Sequence, residues 1–264
     1  MIVRLKHPCL AAAALFFAPA VGQTTETDAS CQRRDFEGTG YIVCKVDPRN
    51  ADLQLFWKDK VGKPYRSFAT LRDAVQSERK RLVFAMNAGM YSDDFTPVGL
   101  YVETGRELVP VNTREVKGTP SSIPNFYKTP NGVFFLDDTG AHIQSTTDYL
   151  RRVSEKHRGT PLFATQSGPM LVIAGRLHPA LIEGSTDRTR RSGVAICEGG
   201  MVHFAISEKD VNFHDFARLF RDGLNCRDAL FLDGGNGAGL FDPTLKRADW
   251  SWHGGYGPMF GLVE

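Results

Sequence analysis

Along most of the chain, short apolar or alternating segments are broken by glycine reversals, and this punctuation limits the fold more than any other feature. "YIVCKV", "LQLFW", "VGLYVETGRELVPV", "NGVFFLDDTGAHIQST", "PMLVIAGRL" and "GVAICEGGMVHFAIS" alternate or run apolar, with TG, GR or GG at the turn. They predict several antiparallel hairpins. Two segments follow the helical period instead. "SFATLRDAVQSERK" brings Phe68, Leu71 and Val75 to one face, and "NFHDFARLFRDGLNC" does the same for Phe213, Phe216, Ala217 and Phe220, with Asn212 placed as N-cap. Each helix runs into an apolar strand that ends on a polar residue before glycine: "RLVFAMNAGMY" at Asn87 and "DALFLDGG" at Asp233. The expectation is a single α+β domain, a mainly antiparallel or mixed sheet with a few amphipathic helices. Asn87 and Asp233 are then related positions at strand ends, where such architectures present functional side chains.

At 264 residues and 42% hydrophobic content the chain can bury a sizeable core. Its formal charge of +2 comes from mixed charges without a basic block, so nucleic acid is not an expected partner. Arg4, Lys6 and His7 precede "CLAAAALFFAPAVG", a stretch short for a bilayer span and suited to a secretory h-region. Residues 1–22 are therefore expected to be a signal peptide, 23–40 a flexible mature N-terminus, and 41–264 the functional domain of a periplasmic or secreted protein with no membrane span in its mature form. Cys31, Cys44, Cys197 and Cys226 remain after cleavage, an even count that predicts two disulfides. The pairing stays open: Cys31 with Cys44 would staple the first strand to the terminus, and Cys197 with Cys226 would tie a strand to the end of a helix. No CxxC pair or Cys/His set points to zinc.

The segment "FLDGGNGAG", residues 231–239, poses the functional question, because its glycines could cradle a phosphate or clear space around Asp233. A P-loop or a dinucleotide fingerprint opens a helix, whereas this run leads into "LFDP", so the phosphate cradle fails. What remains is open backbone beside Asp233, for chemistry or for a bulged turn. No GxSxG elbow, HExxH or calcium loop occurs. The special stretches "NAGMY", "TQSGPM", "RTRRSG", "SEKD" and "DGG" instead offer amides, carboxylates and guanidiniums at strand ends, a set that suits an anionic, hydroxyl-rich ligand.

Taken in order, "MNAGMY", "SGPMLVIAGRL", "RSGVAI", "VHFAIS" and "LFLDGG" resemble the successive motifs of the phosphodiester glycosidase family, over roughly residues 82 to 241. The resemblance implies hydrolysis of the bond between a sugar's anomeric carbon and a phosphodiester, with no metal or other cofactor required. Carried over by position, Asn87, Gly89 and Tyr91 match the first block, Ser167 and Gly168 the second, Arg191 the arginine, and Asp233, Gly234 and Gly235 the last. Asn236 and Gly237 stand where the family more often has Gly-Ser. The implied roles are Asp233 as nucleophile or general base, Arg191 as a bidentate clamp on phosphate, and Glu208 as an alternative second carboxylate. Asn87, Gly89, Tyr91, Ser167, Gly168, Gly234 and Gly235 are then the substrate-binding set for a glycosyl phosphate or glycan. Trp250, Trp252 and Tyr256 in "WSWHGGYGPM" could stack on a sugar or belong to the core. Two rivals belong to other classes: a glycan-binding protein that turns nothing over, and a metal-dependent phosphodiesterase with Asp233, Asp93 or Asp94 on the cation.

Overall fold

A seven-stranded antiparallel sheet runs through the middle of the chain's architecture, and its strand order explains where the site lies. In this computed structural model, residues 1–2, 30–119, 122–155 and 160–264 are described. The sheet takes the strands Ser30–Phe36, Thr39–Val46, Val202–Ser207, Arg191–Cys197, Cys226–Gly234, Met170–Ile173 and Arg176–Leu177, in that spatial order. Cys226–Gly234 is thus an interior strand, flanked by Arg191–Cys197 and Met170–Ile173. One five-stranded sheet orders Arg247–Ala248, Leu240–Asp242, Leu82–Asn87, Met259–Val263 and Asp52–Phe56; the other orders Arg106–Val109, Tyr101–Glu103, Phe163–Ser167, Gly132–Asp137 and Gly140–Ser145. Among the described residues every strand pair is antiparallel, and with three α-helices this is the α+β architecture that the hairpin pattern predicts.

The inward faces of all three sheets meet in one core. Ile42, Val194, Phe204 and Leu230 come from the first sheet, Leu55, Phe84 and Phe260 from the second, and Tyr101, Phe134 and Phe163 from the third. Phe260 makes the junction, with ring centroids 4.9 Å from Phe204 and 5.2 Å from Phe134. The outer face of the seven-stranded sheet carries a second cluster under α3, Phe213–Arg218, which buries Phe213, Phe216 and Ala217 and is capped by Asn212 accepting from the Asp215 amide. Helix α1, Phe68–Ser77, buries Phe68, Leu71 and Val75, and its Ser67 cap accepts from the Thr70 amide. Both sit where the 3.6-residue period puts them. Helix α2, Thr146–Ser154, escapes that period because its inward face is Thr146, Tyr149 and Arg152; the guanidinium of Arg152 lies over Phe135 and pairs with Asp137.

The signal peptide expected over 1–22 falls, from residue 3 onward, outside the described residues, as do residues 23–29 of the expected flexible terminus. Ser30–Phe36, inside that expected terminus, is instead a strand in full register with Thr39–Val46. The cause is covalent as well as hydrogen-bonded: Cys31 faces Cys44 in the register and is joined to it by a disulfide. The second disulfide joins Cys197 and Cys226, which also face each other across adjacent strands. Among the described residues no helix is long and apolar enough to cross a membrane.

Candidate functional site

Asp233 owes its position to an irregularity in strand pairing. Arg191–Cys197 and Cys226–Gly234 pair Gly193 with Phe231 but Ser192 with Asp233, so Leu232 is an extra residue on its strand. Such a bulge re-aims the side chains that follow it. Without it Asp233 would oppose Arg191, on the face of Phe231 and α3. With it, Asp233 opposes Ser192 and Arg191 opposes Gly234. Neighbouring positions along a strand alternate faces, so the Asp233 and Arg191 side chains lie on opposite sides of the sheet. The bulge is fixed from both flanks: the Ser167 hydroxyl donates to the Leu232 carbonyl at 2.9 Å, and the Ser192 hydroxyl donates to the Asp233 carbonyl at 3.1 Å.

After Gly234 the chain makes a turn, Gly235–Gly237, that folds back over the Asp233 carboxylate. A Cβ at Gly237 would overlap that carboxylate, one at Gly239 would overlap the Tyr256 hydroxyl, and one at Gly257 would overlap the Tyr91 ring. The glycines therefore clear space around one aspartate and two tyrosines, which answers the question the run poses. Gly235, at φ +57, carries the one left-handed bend of the turn. The Gly234 amide donates to Asp233 at 2.7 Å. The residue is half-buried. Burial pushes its pKa up to about 7 against the single opposing amide, and among the described residues no cation figures in the shift.

Tyr91 is the aromatic neighbour. Its hydroxyl donates to the Gly255 carbonyl at 2.9 Å, and burial followed by the charge of Asp233 pushes its pKa up to about 12. Asn87 is wholly buried at the end of Leu82–Asn87; its amide nitrogen donates to the Ala88 carbonyl, while its side-chain oxygen accepts from the Gly239 amide at 3.0 Å. The two strand ends singled out by sequence, Asn87 and Asp233, thus converge from different sheets on one glycine segment. Gly89 lies so close to the Gln166 carbonyl that a Cβ would overlap it, and Ser167 and Gly168 are buried beside the bulge. These residues pack around the bulge and the glycine segment.

Arg191 and Glu208 stand elsewhere. The Arg191 guanidinium lies 3.6 Å over the Phe213 ring, donates from Nε to the Val211 carbonyl at 2.8 Å and from a terminal nitrogen to the Asp187 carbonyl at 3.1 Å. Its neighbour Arg190 takes the Asp233 side of the strand and donates to Asp249 at 2.8 Å. Glu208 is exposed and lies 3.5 Å from Arg247 and 3.6 Å from Arg33. Arg247 in turn binds Asp249, so Glu208 stands between two arginines in a chain of ion pairs, and no bond joins it to Asp233 among the described residues. Sequence reading passed over Arg190 and the hydroxyl of Tyr256. The Arg190 Nε and Tyr256 Oη atoms are buried with no hydrogen-bond partner among the described residues, and Arg190 acts electrostatically on Tyr256. Alternation from Arg191 was the one signal that could have found Arg190.

The remaining aromatics divide. Tyr256 is buried and stacked on Phe68 at 4.5 Å, whereas Trp250 and Trp252 are 63% and 82% exposed. His253 approaches the Asn236 side chain at 3.5 Å. Asp93 is exposed, and Asp94 accepts from Ser92 and twice from Thr96 as the cap of its own turn. The three carboxylates considered for a cation therefore do not come together. The two clusters of metal-ligating types among the described residues are each built on a disulfide whose sulfurs are committed to each other.

Comparison with known proteins places this geometry. Residues 80–251 match the phosphodiester glycosidase family. The uncharacterized protein YigE of Escherichia coli (strain K12) is 30% identical over 189 residues, which span 72% of this chain and 69% of that protein. Among solved structures, the zebrafish N-acetylglucosamine-1-phosphodiester alpha-N-acetylglucosaminidase catalytic domain, auto-inhibited by its pro-peptide, aligns with a TM-score of 0.57 at 13% identity over 90% of this chain and 82% of that one. A hypothetical protein from Synechocystis aligns with a TM-score of 0.51 at 14% identity over 89% of this chain and 61% of that one. At such identities the structural likenesses speak for the fold alone.

Proposed function

Since the chain belongs to the phosphodiester glycosidase family, we propose that it is an exported hydrolase that cleaves the sugar C1–O bond of glycosyl phosphodiesters and releases a free sugar and a phosphomonoester. The observation that carries the reading is Asp233, a desolvated carboxylate with a pKa near 7 at the end of a strand, with space held open around it by Gly237. A carboxylate of that basicity accepts a proton from water better than an ordinary one and is still ionised in half or more of the molecules at neutral pH and above. A phosphomonoester has a second pKa of about 6, so the leaving group departs with little help from an acid. One base is then enough. Water oxygen bonds to C1 as the C1–O bond breaks, its electron pair stays on the phosphate oxygen, and the water proton passes to Asp233.

The other residues support this step. Tyr91 lies within electrostatic reach of Asp233, and Asn87, Ser167 and the bulge fix the direction of the strand end. Positive charge on this side of the sheet is supplied by Arg190, which is paired with Asp249. Arg191 is a positioning residue: its backbone amide donates to the Ser207 hydroxyl at 2.9 Å and its side chain ties the preceding loop to Val211. Trp250 and Trp252 offer exposed indole faces to a sugar ring. Two disulfides accord with an oxidising compartment. The test is hydrolysis of a panel of sugar-1-phosphodiesters in ¹⁸O-labelled water. Label in the free sugar, lost with Asp233→Asn, is expected; label in the phosphate would mean P–O cleavage, and saturable binding without turnover would mean a glycan-binding protein.

A further inference from the structure

On the α3 side of the seven-stranded sheet, away from Asp233, lies a cavity of about 650 Å³. That volume is within the range of small-molecule sites. Its walls are mainly apolar, with Val116, Ile123, Pro169, Leu181, Ile182 and Phe213 among them. Into this lining project Lys128 and His178. His178 is 2% exposed, and its Nδ1 accepts from the Ala180 amide at 3.1 Å. The proton of the neutral ring is therefore on Nε2. Nε2 is buried with no hydrogen-bond partner among the described residues, although the Thr129 carbonyl is near enough to favour a proton there. A buried donor left without an acceptor costs stability unless a water or a ligand supplies one.

Lys128 gives the polarity of that acceptor. Its ammonium holds one bond, to Asn125 at 2.8 Å, and lies 5.5 Å from the Phe213 ring. The Arg191 guanidinium lies 3.6 Å from the same ring, outside the cavity lining and bonded to the Val211 and Asp187 carbonyls. The lining carries Lys117 and Lys128 against Glu115 and Asp187, so the local preference for an anion comes from the placement of Lys128 beside the His178 donor and not from an excess of charge. Oxyanions satisfy an ammonium and an N–H donor together, and the apolar walls need a ligand body that water does not hold.

We propose that this cavity binds an anionic amphiphile, a phosphate or carboxylate head on Lys128 and His178 Nε2 with an aliphatic body against Leu181, Ile182 and Phe213. The site is independent of the hydrolytic reading, since Asp233 faces the other side of the sheet.

Titration calorimetry with octyl phosphate, octanoate, inorganic phosphate and octanol tests it on the full protein. Octyl phosphate, octanoate or both are expected to bind saturably, at least tenfold tighter than inorganic phosphate and octanol. Which of the two anions is tighter identifies the head group. Lys128→Met should weaken binding at least tenfold, and Asp233→Asn should leave it unchanged. Because His178 is buried, its role is read without a substitution: the His178 Nε2 proton or nitrogen resonance should shift on titration. Equal binding of octanol, no saturable binding of either anion, an unaltered affinity in Lys128→Met, or a His178 resonance that does not move at saturation would each overturn the proposal. Loss of binding in Asp233→Asn would make the cavity part of the hydrolytic site and overturn its independence.

Discussion

Asp233 carries two predictions that pull against each other. As the proposed base, with a pKa of about 7, it should make kcat/KM rise with pH through about 7 and level off above, and Asp233→Asn should remove that limb and lower kcat/KM by roughly 10²–10⁴. The same raised pKa weakens the fold. The folded protein keeps a proton that the unfolded chain releases near its ordinary value of 3.8, so stability falls as pH rises from about 4 to about 7 and changes no further from this group above that. Asp233→Asn removes the buried charge. Its melting temperature should exceed the parent's at pH 8 by a few degrees, since about 1 kcal/mol moves Tm by roughly 2–4 °C in a chain of this size, and the two should agree at pH 4. A variant that is less stable at pH 8 would mean that the carboxylate is held by partners and not merely enclosed. Gly237→Ala probes the same atom from outside. Its Cβ would occupy the space of the carboxylate, so the variant should fold yet lose activity nearly as completely as Asp233→Asn, measured with the same substrate.

The strand Cys226–Gly234 ties these effects to an element. It begins at a disulfide to Cys197, bears the bulge at Leu232 and carries Asp233 as its last residue but one. Closing the 29-residue separation between Cys197 and Cys226 stabilises by roughly 3–4 kcal/mol on a chain-entropy account. Reduction, or Cys197→Ser with Cys226→Ser, should lower the denaturant midpoint accordingly while sparing the site, since the bulge lies at the other end of the strand. Ser167→Ala should act in the opposite sense. It deletes the hydroxyl that holds the Leu232 carbonyl, costing about 1 kcal/mol of stability, and its main effect should be on kcat, read by comparing kcat with Tm across the two variants. The helices and most of these strands could be read from periodicity and glycine placement. Helix α2 could not, because Arg152 and Thr146 occupy positions where a periodic pattern expects apolar residues.

At the scale of the whole molecule, three sheets share one core, and Phe260 is where their faces meet. Phe260→Ala should therefore cost about 3–5 kcal/mol in a denaturant titration. Asn87 and Asp233 show how far sequence reaches in such a fold. Each stood out as a polar residue ending an apolar strand beside glycine, and both do line one locality. Which neighbours they meet was decided by sheets that join residues more than a hundred positions apart, as with Asn87 and Gly239. The sequence by itself determined the hairpins, α1 and α3, the even cysteine count and the family motifs, because periodicity, turn chemistry and motif order are local properties of a chain. Only the tertiary structure decided that Arg190 and not Arg191 shares a face with Asp233, that Glu208 is bound to arginines, and that His178 and Lys128 line a separate cavity. The physical reason is the side-chain period of two in a strand: a single inserted residue at Leu232 exchanges the two faces, and nothing local in "LFLDGG" records which partner strand will set that register.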